Sequence, residues 1–139
     1  MVLKSLQIAP AYVYMISSNL HIYKIGFSNL VGDRVIAVTP MARRNGLDDL
    51  EIKHLFYTPY ARLWEKFFHE LFAEEFEPDV PGREWFRLSM ANRSLFCSMP
   101  DSVYQPPFSE RFWQYQGQTR QDVLSLCLNW SLQFKPLKD

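Results

Sequence analysis

Apolar and polar positions separate by strict alternation at the start of the chain. In residues 11–16 (AYVYMI), Tyr12, Tyr14 and Ile16 point one way and Val13 and Met15 the other, which is a strand pattern. Ser17, Ser18 and Asn19 supply turn chemistry, and residues 21–27 read as the returning strand of a hairpin. Residues 29–38 read as a short helix that starts after Ser28 or Asn29, carries Asp33 in its first turns and stops before Pro40. The next residues, MARRNGLDD, read as a loop. Alternation returns over 50–56, with Leu50, Ile52, His54 and Phe56 on one face, and predicts a third strand.

Thr58 and Pro59 predict the start of a long helix, with threonine as cap and proline at the first helical position, running to about Phe76 and ending before Pro78. Pro81 and Gly82 form a turn into Glu84, Trp85 and Phe86. After Ser89 the texture changes: residues 98–118 hold Pro100, Pro106, Pro107 and several aromatics with little periodicity, and read as a loop packed through its rings. Thr119 and Asp122 resemble a capping box before an apolar closing helix over 123–134. That tail is read as a cap on the sheet, with base stacking or a protein partner as the alternatives.

Composition narrows this little. A chain of 139 residues, 47% hydrophobic and 16% aromatic, suits one globular domain. No apolar run approaches the roughly 20 residues of a membrane span, and no secretory leader is evident, so a cytoplasmic protein is expected. Cys97 and Cys127 lack metal-like spacing and read as buried thiols in a reducing compartment. Basic and acidic residues balance at 15 each, which argues against a broadly basic nucleic-acid binder but leaves room for a local patch. Arg34, Arg43 and Arg44 are close in sequence, whereas acids crowd into residues 70–79.

Candidate chemistry falls in three places. In the hairpin, Lys24 and Gly26 share one strand face and Tyr14 can oppose them, a proton acceptor beside a phosphate-binding cation. The bland alternative is a core-edge tyrosine and a solvated edge lysine. Arg34 lies eight residues past Gly26 and can aim a planar fork of donors at a phosphate, or it is a surface arginine. Glu65 and His69 in ARLWEKFFHELF sit at i, i+4 on one face of a helix that is otherwise mostly apolar. A carboxylate there needs a reason, and a hard cation is one; a solvent-edge Glu–His pair is the other.

Together, YVY at 12–14, YKIG at 23–26, Arg34, EKFFH at 65–69 and GREWF at 82–86 resemble the GIY-YIG nuclease superfamily. The closest likeness is to its branch of small, often phage-borne proteins with YKIG, E-x-x-x-H and GEWF-like motifs. The resemblance covers residues 11–89. It implies an α/β (α+β) fold, a three-stranded antiparallel sheet flanked by helices, with residues 90–139 as an aromatic-rich extension. It further implies hydrolysis of a DNA phosphodiester with Mg²⁺ or Mn²⁺. By position, Tyr14 takes the place of the tyrosine that deprotonates water, Arg34 that of the arginine on the scissile phosphate, and Glu65 that of the metal ligand. Lys24 replaces a second tyrosine, so Lys24 is expected in the site and Tyr23 in the core. Gly26, Arg43, Arg44 and His69 are expected to contact substrate, Gly26 by letting the backbone turn sharply off the strand. The asparagine that many members place after the metal helix is not evident. An endonuclease of phage or mobile-element origin is the leading expectation. The alternative is a catalytically weak binding protein on the same fold, acting on nucleic acid or on a protein such as a host defence complex.

Overall fold

The computed structural model describes residues 9–103 and Ser125. The expected loop beyond Val103, the closing helix and Cys127 lie outside the described residues. Four strands form one antiparallel sheet in the order β3-β1-β2-β4, from β1 (Ala11–Ser17), β2 (Tyr23–Ser28), β3 (Glu51–Thr58) and β4 (Trp85–Phe86). Helices α1 (Val31–Arg44), α2 (Ala61–Leu71) and α3 (Met90–Cys97) complete the fold, with a short 3-10 turn at Ala73–Glu75. The α/β class and the antiparallel sheet agree with the expectation. The sheet has four strands instead of three, because Trp85 and Phe86 pair with Lys24 and Tyr23.

Alternation divides the sheet into two faces. Val13, Met15, Ile25 and Phe56 pack against Trp64, Phe67 and Phe68 of α2 and against Phe96 of α3. Burying an aromatic face of this size is the main apolar contribution to the fold. On the other face, Tyr14 and Ile16 lie under Val31 of α1. The return from β1 to β2 is tied by Ser18, whose hydroxyl donates to the Ile22 carbonyl at 2.7 Å.

Helix α1 does not stop before Pro40 but runs through it to Arg44. The proline ring removes one N–H from the ladder. That loss falls on an exposed stretch: Ile36, whose carbonyl would have accepted, and Pro40 itself both face solvent. Meanwhile Ala42 at the far end is fully buried against Leu47, Ile22 and Trp85, so burial carries the helix past its weak point. Gly46, at φ +81, ends it in the left-handed conformation that glycine adopts without penalty.

Two other boundaries shift. β3 extends to Thr58, and α2 starts only at Ala61. Thr58 still meets the helix entrance, accepting from the Tyr60 N–H at 3.1 Å. Within β3 the pairing skips Lys53, so Met15 faces His54 but Ile16 faces Ile52. This β-bulge breaks the alternation and puts Ile52 and His54 on opposite faces. Cys97, expected to be buried, is exposed.

Candidate metal and phosphate site

β1 and β2 are in a register that places Tyr14 opposite Gly26 and Ile16 opposite Lys24. Tyr14, Gly26 and Lys24 therefore share one face, as the alternation implied. Tyr14 is 1% exposed and Lys24 5%. The reason for glycine at 26 is steric. A Cβ there would stand 2.6 Å from the Tyr14 hydroxyl and 3.2 Å from Oε1 of Glu84. β2 continues through Gly26 to Ser28, and Gly26 has no positive φ. The expected sharp turn is absent; Gly26 makes room for a phenol and a carboxylate.

β4 covers β2 only at Tyr23 and Lys24, and the Ile25 N–H then donates to the Glu84 carbonyl at 2.9 Å. The next backbone acceptor on that edge, the Ile25 carbonyl, receives His69 Nε2 of α2 at 2.7 Å. A carbonyl only accepts, so Nε2 carries the proton and Nδ1 the lone pair in the neutral ring. Burial lowers the His69 pKa and favours that neutral form.

Where β4 runs out, α2 meets the edge of β2. Glu65, one turn before His69 on α2, reaches Glu84, and one potential ligand atom from each of Glu65, His69 and Glu84 lies within 4.8 Å of the others. Lys24 Nζ makes an ion pair with Glu84 and lies 5.8 Å from the centre of the Trp85 ring. Two carboxylates this close cannot both ionise cheaply. Burial first, then the hydrogen bond and charge of Glu84, push the Glu65 pKa up to about 8. For Glu84 burial is also the largest effect and raises the pKa. The hydrogen bonds from Glu65 and Lys24 outweigh it, and Glu84 remains the ionised partner. The pair thus holds a proton between them at neutral pH.

Burial, with the charge of Glu84 next, holds the Tyr14 phenol well above its usual range. Arg34 of α1 opposes this and Glu65 adds to it. Tyr14 is therefore a neutral phenol beside a carboxylate pair.

Tyr14, Lys24, Gly26, Glu65 and His69 come together, with Arg34 acting on Tyr14 from the start of α1. Arg43 and Arg44 do not join them. Because α1 runs through Pro40, they sit nine and ten residues beyond Arg34, about 14 Å along the helix, and Arg43 pairs with Asp48 at 3.3 Å. Tyr23 is core, its hydroxyl accepting from Arg93 at 2.6 Å. Asn92 is buried and bonded to Glu75. Glu84 is the residue that sequence reasoning passed over. Its signal is the GREWF segment, which the sequence reading takes as a motif after a turn without giving its acid a role.

The T5orf172 domain model matches residues 10–96, more than half of the chain, and the protein belongs to that family. No curated protein and no solved structure matches it.

Proposed function

We propose that the protein is a metal-dependent DNA endonuclease with a GIY-YIG-type site. The observation that carries this reading is the Glu65–His69–Glu84 cluster beside Tyr14. Membership of a phage-associated family related to GIY-YIG and HNH-like nucleases supports it.

The donor set fits a hard divalent cation such as Mg²⁺ or Mn²⁺. Two carboxylates drawn together at the cost of a raised pKa lose that cost when a cation replaces the shared proton. Glu65 and Glu84 are the oxygen donors, and His69 is either a nitrogen donor or the orienting group behind them. When bound, the cation supplies Lewis-acid charge for a phosphodiester oxygen and offsets the carboxylate charges that act on Tyr14.

The protein's own groups have separable tasks. Arg34 presents a bidentate donor fork suited to non-bridging phosphate oxygens. Lys24 holds Glu84 ionised and in place, a task different from direct contact with phosphate. The Tyr14 hydroxyl, a neutral phenol fixed over Gly26, would orient the attacking water by accepting a hydrogen bond from it. It would act as the water's base only after giving up its own proton to solvent, a loss that a cation offsetting the carboxylate charge would favour. His69 braces the edge of β2 against α2.

Supercoiled plasmid incubated with Mg²⁺, Mn²⁺ or EDTA tests the proposal. Nicked or linear product with either metal and none with EDTA is expected. Absence of cleavage with every divalent metal overturns the enzyme and favours the binding protein on the same fold.

A further inference from the structure

The sheet face that carries Tyr14 continues past it. Tyr12 and Tyr57 pair directly across β1 and β3, and Leu55 pairs with Tyr14 in the same ladder. Since side chains two apart share a face, Tyr12 and Tyr57 lie on the Tyr14 side, one strand repeat of about 7 Å further on. Their rings meet edge to face at 5.5 Å and 69°. Unlike Tyr14, they are not covered by α1: Tyr12 is 37% exposed and Tyr57 39%.

Beside them β2 ends. Ser28, the partner of Tyr12 on β2, also lines a cavity of about 520 Å³ whose wall includes Pro10, Phe27, Leu30 and Arg34. The arginine proposed for the scissile phosphate therefore both acts on Tyr14 and shares a cavity wall with Ser28, the cross-strand neighbour of Tyr12. Surface tyrosines on strands are ordinary in themselves. A pair with open ring area, on the face of the proposed reacting groups and one strand over from a cavity that Arg34 lines, has the elements of a single-strand binding track: cation for backbone, rings for bases.

We infer that Tyr12 and Tyr57 form a stacking platform for unpaired bases next to the scissile phosphate, so that the substrate is DNA that is single-stranded or locally opened there. This rests on the nuclease reading and narrows its substrate. A base held in a duplex offers its edges, not its face, and cannot lie on these rings. The neutral overall charge is consistent with it, since stacking supplies affinity that a broad basic surface would otherwise provide.

The test is equilibrium binding of a labelled oligodeoxynucleotide, single-stranded or as the same sequence in duplex, to the full chain with EDTA present so that the strand stays intact. Wild-type protein should prefer the single strand. The double variant Tyr12→Leu/Tyr57→Leu should lose about tenfold to a hundredfold for the single strand. It should lose little for the duplex and keep its salt dependence, because no phosphate contact is removed. Tyr12→Phe/Tyr57→Phe retains the rings and should bind as wild type. Equal losses on both DNAs, no loss on the single strand, or a loss in the Phe variant matching that in the Leu variant each overturn the platform. Wild-type cleavage of duplex with no single-strand preference removes this inference and leaves the nuclease standing. No binding of either DNA removes both.

Discussion

Replacing Gly26 by alanine puts a methyl group 2.6 Å from the Tyr14 hydroxyl oxygen, 2.8 Å from its ring carbon and 3.2 Å from Glu84 Oε1. Ordinary contact is near 3.5 Å, so about 1 Å must be recovered by movement. Tyr14 cannot swing into solvent, since it is buried beneath Val31 with Ile16 beside it. The backbone itself favours the change: Gly26 has no positive φ, and alanine in a strand regains roughly 0.5–1 kcal/mol of unfolded-state entropy. Overpacking costs about 1–3 kcal/mol, and the net expectation is a loss of about 1–2 kcal/mol. The effect on chemistry should be larger. A shift of about 1 Å between the Tyr14 hydroxyl and the carboxylates is worth on the order of 10²-fold in rate. Urea unfolding and single-turnover cleavage measured on the same preparation separate the two. A variant with wild-type rate would show that the close approach of Tyr14 to Gly26 has no part in the chemistry.

Two further outcomes follow from the charges around Glu84. Lys24→Met removes the ammonium from a half-buried carboxylate and should destabilise the fold by about 2 kcal/mol, read from the urea midpoint. An unchanged midpoint would refute the ion pair as a positioning contact. The raised Glu65 pKa fixes a pH dependence for the chelated protein. Its contribution to stability is complete below the ordinary value of 4.5 and is lost as pH rises through about 8, whereas Glu84, shifted downward, contributes above 4.5. Urea unfolding with EDTA should therefore show stability falling between about pH 6.5, above which the lowered pKa of His69 no longer offsets it, and about pH 8, then levelling, and Mg²⁺ should flatten that fall. A stability that rises over this range would contradict the shared proton.

The hairpin, its two faces and the pairing of Tyr14 with the Lys24–Gly26 side were legible because strand alternation is a two-residue code that α1 and α2 both obey by burying opposite faces. The i, i+4 step from Glu65 to His69 was legible for the same kind of reason, being fixed within one helix. What escaped depends on contacts distant in sequence. Nothing local shows that a helix will pass Pro40; the burial of Ala42 against Leu47 and Trp85 decides it. The bulge at Lys53 is set by the match between β1 and β3, not by β3 alone. Gly26 looked like a turn residue because its real neighbours, the Tyr14 hydroxyl on β1 and Glu84 just before β4, arrive from elsewhere in the chain. Glu84 was hidden by its setting: an acid between Arg83 and Trp85 reads as a charge facing water until β4 docks on β2 and turns it toward Lys24 and Glu65.

The central claim is that Glu65 and Glu84 hold the cation that makes phosphodiester cleavage possible. Cleavage of a labelled DNA in Mg²⁺ by wild type and by Glu65→Ala tests it most directly, with binding to uncleaved DNA measured alongside. Glu65→Ala removes one anionic ligand and the acid that shares the pair's proton, and alanine is the best helix former, so α2 should persist. The expected result is a folded variant that binds DNA through Arg34 as well as wild type and cuts at least 10²–10³-fold more slowly, the loss that removal of a comparable electrostatic group produces. Wild-type cleavage matched by Glu65→Ala at the same Mg²⁺ concentration would contradict the assignment of the metal to this cluster.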